Sequence, residues 1–273
     1  MPFGPRALGL VLALTAIPQS SRTVLGRCAI SSEPVSRYSL PDALVEVSGL
    51  SRGPGGTLLT HGDEHGSVIV LDGTTLKPLR EVRLQGDPRG DFEGIAAAGD
   101  SVVLMTSAGT LYFFRLGAAN TVPYTTIATG LGRNCELEGL GWHRPSGTLI
   151  LPCKQLRGQA AVGLTLQRYR LGRTPGPAAP IVVSGEELAR VTGLALIRAT
   201  SVEVDSLSGN LVVLSSKPPL VLEVDMSGRV LGMKRLPAQY HPQAEGLTLS
   251  SDALWIADEG VARKGTLARY SCR

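Results

Sequence analysis

Three glutamates in this chain stand at the same place in a short repeated signature and could together bind a cation. Glu93, Glu138 and Glu245 each precede a glycine and an aliphatic residue, while Ser48 and Thr200 hold the same place in two further copies. The steps between the five positions are 45, 45, 62 and 45 residues. Carboxylates and hydroxyls are hard oxygen donors, the type of ligand that Ca²⁺ takes. The pattern predicts a calcium site wherever the fold brings these positions together.

Further acids lie just after the strands that the signature is expected to begin. Asp63 follows the first such strand and Asp258 the last, whereas Lys154 and Lys217 hold the equivalent places in the third and fourth units. We predict Asp63 and Asp258 as additional ligands, with a solvated turn acid or a salt-bridge partner as the alternative role. The repeat glutamates also have an alternative role, which is to cap local backbone amides in a purely structural repeat.

The repeat itself predicts the elements that position these side chains. After each signature comes a small-residue turn and then a short apolar run, at residues 57–59, 101–105, 148–151, 210–214 and 253–257. A period near 45 residues with several strands in each unit is typical of a β-propeller. Because the innermost strands of a propeller begin around one central channel, we expect the three carboxylates to face one another there. Unpaired carboxylates so placed would repel and raise their pKa values, unless a cation binds.

The spacing predicts an all-β fold, a β-propeller of five blades, with six as the alternative if the 62-residue step hides another blade. Within that step, residues 174–180 are rich in proline and are interpreted as a loop or extended connector, and residues 186–194 as a helical turn. The 29 residues from Glu245 onward fall short of one repeat, and residues 28–47 supply the missing length. We therefore expect the N-terminal segment to join the last blade and close the ring.

The first residues have the features of an export signal. Arg6 supplies a positive charge, and residues 7–17 form an apolar run that is too short to span a bilayer. The cleavage site is poor, so residues 1–27 are predicted to be either a signal peptide or an N-terminal anchor, and residues 28–273 the propeller domain. The prediction places the protein in the periplasm, in the cell envelope or outside the cell. A membrane would be contacted only through an uncleaved anchor.

The four cysteines agree with export. An even number of cysteines in an exported protein predicts two disulfides, although four cysteines allow three pairings. Ring closure would bring Cys28 and Cys272 together, which favours that pair and leaves Cys135 with Cys153. The alternative is four buried thiols, which a cytoplasmic location would favour.

Charge and motifs exclude several classes of function. The formal net charge is +4, but the basic residues are scattered among acidic ones and form no block with aromatic residues, so no nucleic-acid partner is expected. The four histidines lack a His-Glu-x-x-His spacing, and there is no Gly-x-Ser-x-Gly elbow or phosphate-binding glycine loop. Trp142 and Trp255 fall at matching places beside the expected inner strands, and both are predicted in the core.

A family resemblance rests on motifs that recur in order along most of the chain. They are Glu46 to Leu50, Asp91 to Ala96, Glu136 to Leu140, Gly209 to Ser215 and Ala244 to Leu247. Together they resemble the SdiA-regulated protein family, over about residues 42–262. The resemblance implies a five-bladed β-propeller, distantly similar to NHL-repeat proteins, with a calcium site at the repeat glutamates and no established enzymatic activity. The chain departs from the family at residues 215–217, where relatives often have an acid, which weakens the case for a ligand from the fourth unit.

Two functions follow from these observations. The first is a calcium-binding propeller of the bacterial cell envelope that acts as a binding or scaffold module for a protein or a small molecule. The alternative is a metal-dependent hydrolase of an ester, lactone or phosphoester, with a channel-bound calcium as Lewis acid. Only Asn120, Asn134 and Asn210 could supply the asparagine ligand that propeller lactonases use, and only Asn134 lies near a repeat glutamate. This scarcity weighs against the lactonase form of the alternative.

Overall fold

The computed structural model describes residues 23–156, 162–260 and 264–273. They contain two α-helices, α1 (Val24–Arg27) and α2 (Gly185–Thr192). The strands in chain order are β1 (Ser36–Ser39), β2 (Val47–Arg52), β3 (Leu58–Gly62), β4 (Ser67–Leu71), β5 (Pro78–Leu84), β6 (Phe92–Ala98), β7 (Ser101–Thr106), β8 (Thr110–Phe114), β9 (Thr121–Val122), β10 (Tyr124–Ala128), β11 (Cys135–Leu137), β12 (Gly141–His143), β13 (Thr148–Leu156), β14 (Leu164–Arg170), β15 (Gly176–Val183), β16 (Arg198–Val204), β17 (Leu211–Lys217), β18 (Pro219–Val224), β19 (Val230–Arg235), β20 (Ala244–Leu249), β21 (Ala253–Asp258) and β22 (Thr266–Ser271). Short 3₁₀ turns lie at Asp42–Leu44, Pro54–Gly56, Leu131–Arg133 and Arg144–Ser146.

These strands form five sheets, which are the five blades of a β-propeller. From the axis outward, blade one is β2-β3-β4-β5, blade two β6-β7-β8-β10, and blade four β16-β17-β18-β19. Blade three is β13-β14-β15 with β11 and β12 both paired to the inner edge of β13, and blade five is β20-β21-β22-β1. Every pairing within a blade is antiparallel except that of β5 with the short β9. The predicted five-bladed propeller is confirmed, and the six-bladed alternative is wrong.

Apolar side chains fill the space between neighbouring blades. The described residues form five buried clusters, and each joins two adjacent sheets, including blade five to blade one. Successive side chains of a strand point to opposite faces of the sheet. Both faces carry apolar residues, because each face of a blade is covered by a neighbouring blade. This packing fixes the five inner strands β2, β6, β12, β16 and β20 side by side around the axis.

The long third step contains no sixth blade. Its extra length is used by α2 and by the outer strand β15, which includes the proline-rich residues expected to form a loop. Pro177 and Pro180 are tolerated because β15 lies at the outer edge of its sheet, where a missing N–H breaks no ladder. The helix begins where the Ser184 hydroxyl accepts a hydrogen bond from the Glu187 N–H and ends at Gly193 with a φ of 75°.

The N-terminal part of the described chain lies against blades four and five. Strand β1 pairs antiparallel with β22, from Ser36 opposite Arg269 to Ser39 opposite Thr266. Helix α1, which the sequence places in the leader or anchor, is packed into the cluster between these blades. The first 22 residues of that predicted segment lie outside the described residues. In the part of the chain that the structure describes, no helix is long and apolar enough to cross a membrane.

The chain carries two disulfides, as predicted. Cys28 joins Cys272, which ties the segment before β1 to the residue after β22. Cys135 joins Cys153, which ties β11 to β13 at the inner edge of blade three. Disulfides of this kind are typical of proteins that fold outside the reducing cytoplasm.

Candidate functional site

The repeated position of the signature is a β-bulge at the start of each inner strand. In blade two, Phe92 pairs with Thr106 and Gly94 with Met105, so Glu93 between them has no partner across the ladder. The same break in register leaves Ser48, Thr200 and Glu245 unpaired in blades one, four and five. In blade three the strand is interrupted altogether, and the residues 138–140 lie between β11 and β12. Bulges redirect a side chain out of the regular pleat, which explains why the repeated position can face the axis.

Glycines after the glutamates let neighbouring blades touch at this level. A Cβ on Gly94 would lie 2.7 Å from the carbonyl carbon of Gly139, and a Cβ on Gly139 would lie 2.6 Å from the Cα of Ser201. The Gly139 N–H also donates to the carbonyl oxygen of Glu93 in the neighbouring blade, at 2.5 Å. A side chain at either glycine would therefore push two backbones apart. We call this level, defined by Glu93, Glu138 and Glu245, the acidic end of the axis.

One lysine enters the acidic end from the second strand of blade three. Lys154 Nζ donates to Glu138 Oε1 at 2.7 Å, and the Glu138 side chain is only 1% exposed. Glu138 Oε2 is buried and has no hydrogen-bond donor among the described residues. Lys154 holds the place in blade three that Asp63 and Asp258 hold in blades one and five, and the structure gives it an ion pair with Glu138.

Burial raises the pKa of all three repeat glutamates, and repulsion from neighbouring carboxylates raises it further. Burial raises the pKa of Glu93, and the nearby carboxylates of Glu138 and Asp91 raise it further. Burial raises the pKa of Glu245 to about 8, again with a contribution from the Glu138 carboxylate. The pKa of Glu138 is raised by burial although the Lys154 ammonium lowers it. One ammonium group thus offsets three carboxylates, and the remaining charge favours either protons or a bound cation.

Asp63 and Glu259 belong to the same electrostatic neighbourhood. Burial raises the pKa of Asp63, with smaller contributions from the Glu64 and Asp91 carboxylates. Burial also raises the pKa of Glu259, with contributions from Glu46 and Asp63. These acids come from blades one and five, so they extend the negative charge of the acidic end beyond the repeat glutamates.

Asp258 makes a fixed hydrogen bond inside blade five. Its Oδ2 lies 2.8 Å from Nδ1 of His241, whose Nε2 lies 2.6 Å from the Tyr270 hydroxyl, and all three side chains are buried. The second oxygen, Oδ1, is buried without a hydrogen-bond partner in the described part of the chain. Asp258 can therefore offer at most one oxygen to a ligand while it holds His241.

The two hydroxyls of the repeated position are engaged with backbone carbonyls. Thr200 Oγ1 donates to the carbonyl of Ala244 at 2.7 Å, which links blade four to blade five. Ser48 Oγ donates to the carbonyl of Glu46 at 3.3 Å. Within residues 23–156, 162–260 and 264–273, no three His, Cys, Asp or Glu side chains are arranged so that they could hold a metal ion. The ligand roles of Glu93, Glu138, Glu245, Ser48, Thr200, Asp63 and Asp258 therefore stay predictions.

His61 is a buried residue at this level that the sequence reasoning missed. Its ring lies against Gly49, since a Cβ on that glycine would be 2.3 Å from Nε2. Nδ1 donates to the carbonyl of Gly62 at 2.9 Å, while Nε2 has no partner among the described residues. Burial lowers the pKa of His61 to about 4, so the ring is neutral. His61 lies beside Gly49 because the register of β3 against β2 pairs the two residues. The sequence gives no sign of this contact, since the other repeats have no histidine at the equivalent position.

The family model described as SdiA-regulated matches residues 37–261, which include all five inner strands. The chain belongs to the SdiA-regulated family. No curated protein matches the sequence.

Solved structures agree on the fold of this SdiA-regulated protein. The glutaminyl cyclase of Myxococcus xanthus is similar with a TM-score of 0.63 at 14% identity, over 88% of this chain and 97% of that one. The allergen Mala s 1 of Malassezia sympodialis is similar with a TM-score of 0.58 at 8% identity, over 86% of this chain and 95% of that one. At such low identities the similarity shows the propeller architecture, and it carries no information on activity.

Proposed function

We propose that the protein is a calcium-binding β-propeller of the bacterial cell envelope that acts as a binding module. Membership of the SdiA-regulated family supports the propeller. The two disulfides support a location outside the cytoplasm, and the predicted leader supports the envelope. The partner is a protein or a small molecule whose chemistry the acidic end does not define.

The observation that carries the calcium proposal is the cluster of carboxyl groups at the acidic end, whose raised pKa values mean that they ionise together only when a cation compensates their charge. The buried carboxyl of Glu138 and the half-buried carboxyls of Glu93 and Glu245 have one ammonium partner, and the buried Glu138 Oε2 has no donor among the described residues. The donor atoms are all oxygen, which suits a hard cation of irregular coordination. Glu93, Glu138 and Glu245 would hold the ion, and its charge would relieve the repulsion between them. Lys154 already neutralises part of this charge, so it competes with a cation.

A thermal melt of the metal-free protein with and without Ca²⁺ tests the proposal. We expect Ca²⁺ to raise the melting temperature, because a ligand that binds only the folded state stabilises it by mass action. Glu93→Gln and Glu245→Gln should abolish most of this rise. Glu186→Gln is the matched control, since Glu186 is exposed on α2, outside the acidic end, and its replacement should leave the rise unchanged. Mg²⁺ and a chelator serve as the ion controls.

Lys154→Gln sharpens the same experiment. Removing the ammonium should lower the melting temperature of the metal-free protein and enlarge the rise that Ca²⁺ produces. If Ca²⁺ changes the melting temperature of neither the wild type nor Lys154→Gln, the calcium site does not exist and the glutamates have a structural role. The metal-dependent hydrolase stays a prediction that depends on the same ion, so this result would also remove its Lewis acid.

A further inference from the structure

The opposite end of the axis contains a cavity that the repeat signature does not involve. All five inner strands run in the same direction along the axis, so their last residues converge just as their first residues do. The cavity there has a volume of about 450 Å³. Its walls include Ser51 and Arg52 from β2, Ala97 from β6, Trp142 from β12, Glu203 from β16, and Arg144 from the turn after β12. We call this level, defined by Arg52, Trp142 and Glu203, the far end of the axis.

Two arginines at this cavity make no direct ion pair within the described part of the chain. Arg52 and Arg144 are exposed, and neither side chain has an ion pair or hydrogen bond to another described residue. A third arginine behaves differently: Arg27 Nη2 pairs with Asp205 at 2.5 Å, and both side chains are buried. The buried Arg27 Nε has no acceptor among the described residues, so one N–H in the wall is also unused. The cavity therefore has an excess of donors that suit a carboxylate or phosphate.

The acidic group in the cavity is already engaged. Glu203 Oε2 accepts from the Thr248 hydroxyl at 2.7 Å, and Oε1 accepts from the Val204 N–H at 3.0 Å. Burial raises the pKa of Glu203 to about 7, while Thr248, the Val204 amide and the Arg52 guanidinium lower it. Because Asp205 is neutralised by Arg27, at most one negative charge faces Arg52 and Arg144. The net charge of the cavity is positive.

The remaining wall is apolar and includes an aromatic ring. Trp142 is half-buried, packs on one side against the cluster between blades two and three, and lines the cavity. Ala96, Ala97, Leu140 and Leu249 also line this cavity. A half-buried indole among apolar side chains favours a flat ring, which can stack or pack edge-on against it.

We propose that the far-end cavity is a binding site for a small organic anion that carries a carboxylate on a flat ring. The carboxylate lies between Arg52 and Arg144, and the ring lies against Trp142. The site is independent of any cation at the acidic end, because no residue of the two sets is shared.

Isothermal titration calorimetry of the full chain with simple ring anions tests the proposal. Benzoate should bind, benzamide should not bind because it has no charge, and acetate should bind more weakly because it has no ring. Phenyl phosphate distinguishes the two acid groups: tighter binding than benzoate would overturn the assignment to a carboxylate. Each titration is repeated with calcium and with a chelator, and we expect equal affinities in both.

Variants then locate the site. Arg52→Gln and Arg144→Gln should each weaken benzoate binding about tenfold, the effect of losing one charge-assisted hydrogen bond. Arg170→Gln is the matched control, an exposed arginine on β14 outside the cavity, and should bind as the wild type does. Trp142→Leu should reduce the affinity for benzoate to that for acetate. Absence of benzoate binding at millimolar concentrations, or wild-type affinity in both arginine variants, would overturn the proposal.

Discussion

The acidic end and the far end of the axis are built from the same five strands but differ in packing and in charge. At the acidic end the backbones of neighbouring blades are in contact, and three carboxylates face one lysine. At the far end the strands leave a cavity of about 450 Å³ with two unpaired arginines at its wall. Since the fold is the same at both ends, what each end can bind is decided by the side chains that the inner strands place there.

The packing difference has a simple physical cause. The acidic end has glycines directly after its bulged residues, so the inner strands can approach until their main chains touch. Three or four residues later each strand presents a different side chain, and the small Ala96 and Ala97 stand beside the large Trp142. The side chains at this level do not fill the space between the strands, and a cavity remains.

The largest expected effect tests the tight packing of the acidic end. Gly94→Ala would place a Cβ 2.7 Å from the carbonyl carbon of Gly139, and main-chain atoms cannot move aside as a side chain can. We expect a loss of about 3 kcal/mol in the free energy of unfolding, measured by urea denaturation.

Ala97→Val on the same strand is the matched control. Ala97 lines the far-end cavity, so the added methyl groups have space, and a change below about 1 kcal/mol is expected. Equal losses in the two variants would show that the ends do not differ in packing.

The pH dependence of stability distinguishes the charges of the two ends. A carboxyl whose pKa is raised on folding stabilises the folded state below the ordinary value of 4.5, and this contribution is lost as pH rises to the folded pKa. The folded pKa is about 7 for Glu203 and about 8 for Glu245, so the loss continues to a higher pH for Glu245. Stability of the metal-free protein should therefore still fall between pH 7 and pH 8, by at most about 1.4 kcal/mol per group.

Two neutral variants assign that fall to one end. Glu245→Gln should reduce the slope between pH 7 and pH 8 strongly, whereas Glu203→Gln should reduce it less in the same urea titrations, because its folded pKa is lower. His61 does not contribute in this interval, because its pKa is about 4 in the folded protein and near 6.5 when unfolded. A larger reduction of the slope by Glu203→Gln than by Glu245→Gln would contradict the prediction, because Glu203 would then have the higher folded pKa.

The smallest expected effect concerns the hydrogen bond that holds Glu203. Thr248→Val keeps the shape of the side chain but removes the hydroxyl that donates to Glu203 Oε2 at 2.7 Å. We expect a loss of about 1 kcal/mol in the free energy of unfolding at pH 8, where Glu203 is ionised. At pH 5, where the carboxyl is protonated and the bond is weaker, the loss should be smaller. The same loss at both pH values would mean that Glu203 does not change its charge.

Much of the fold could be predicted from the sequence because the blades repeat. A signature every 45 residues predicts a ring of equivalent units, and five copies predict five blades. The proline-rich residues 174–180 were predicted as a loop or extended connector, whereas Gly176–Val183 forms β15; proline is common in loops, and its tolerance at an outer sheet edge depends on the position of the strand. Trp142 was expected in the core and is instead half-buried at a cavity, which no local pattern indicates.

The candidate site could be predicted only where it follows the repeat. Glu93, Glu138 and Glu245 share one position, so their convergence at the acidic end follows from the spacing alone. His61 and Glu203 each occupy a position that the other repeats fill with unrelated residues, so no comparison between repeats singles them out. Their roles depend on register and on the neighbouring blade.

The sequence by itself determined the number of blades, the level of the three glutamates on the axis and the existence of two disulfides. These properties follow from spacing and from residue type, which a linear chain records directly. Only the tertiary structure decided that Lys154 pairs with Glu138, that His61 lies under Gly49, and that Arg52 and Arg144 are left without partners beside Trp142. These contacts join residues of different blades or strands, and they depend on how closely the inner strands approach at each level.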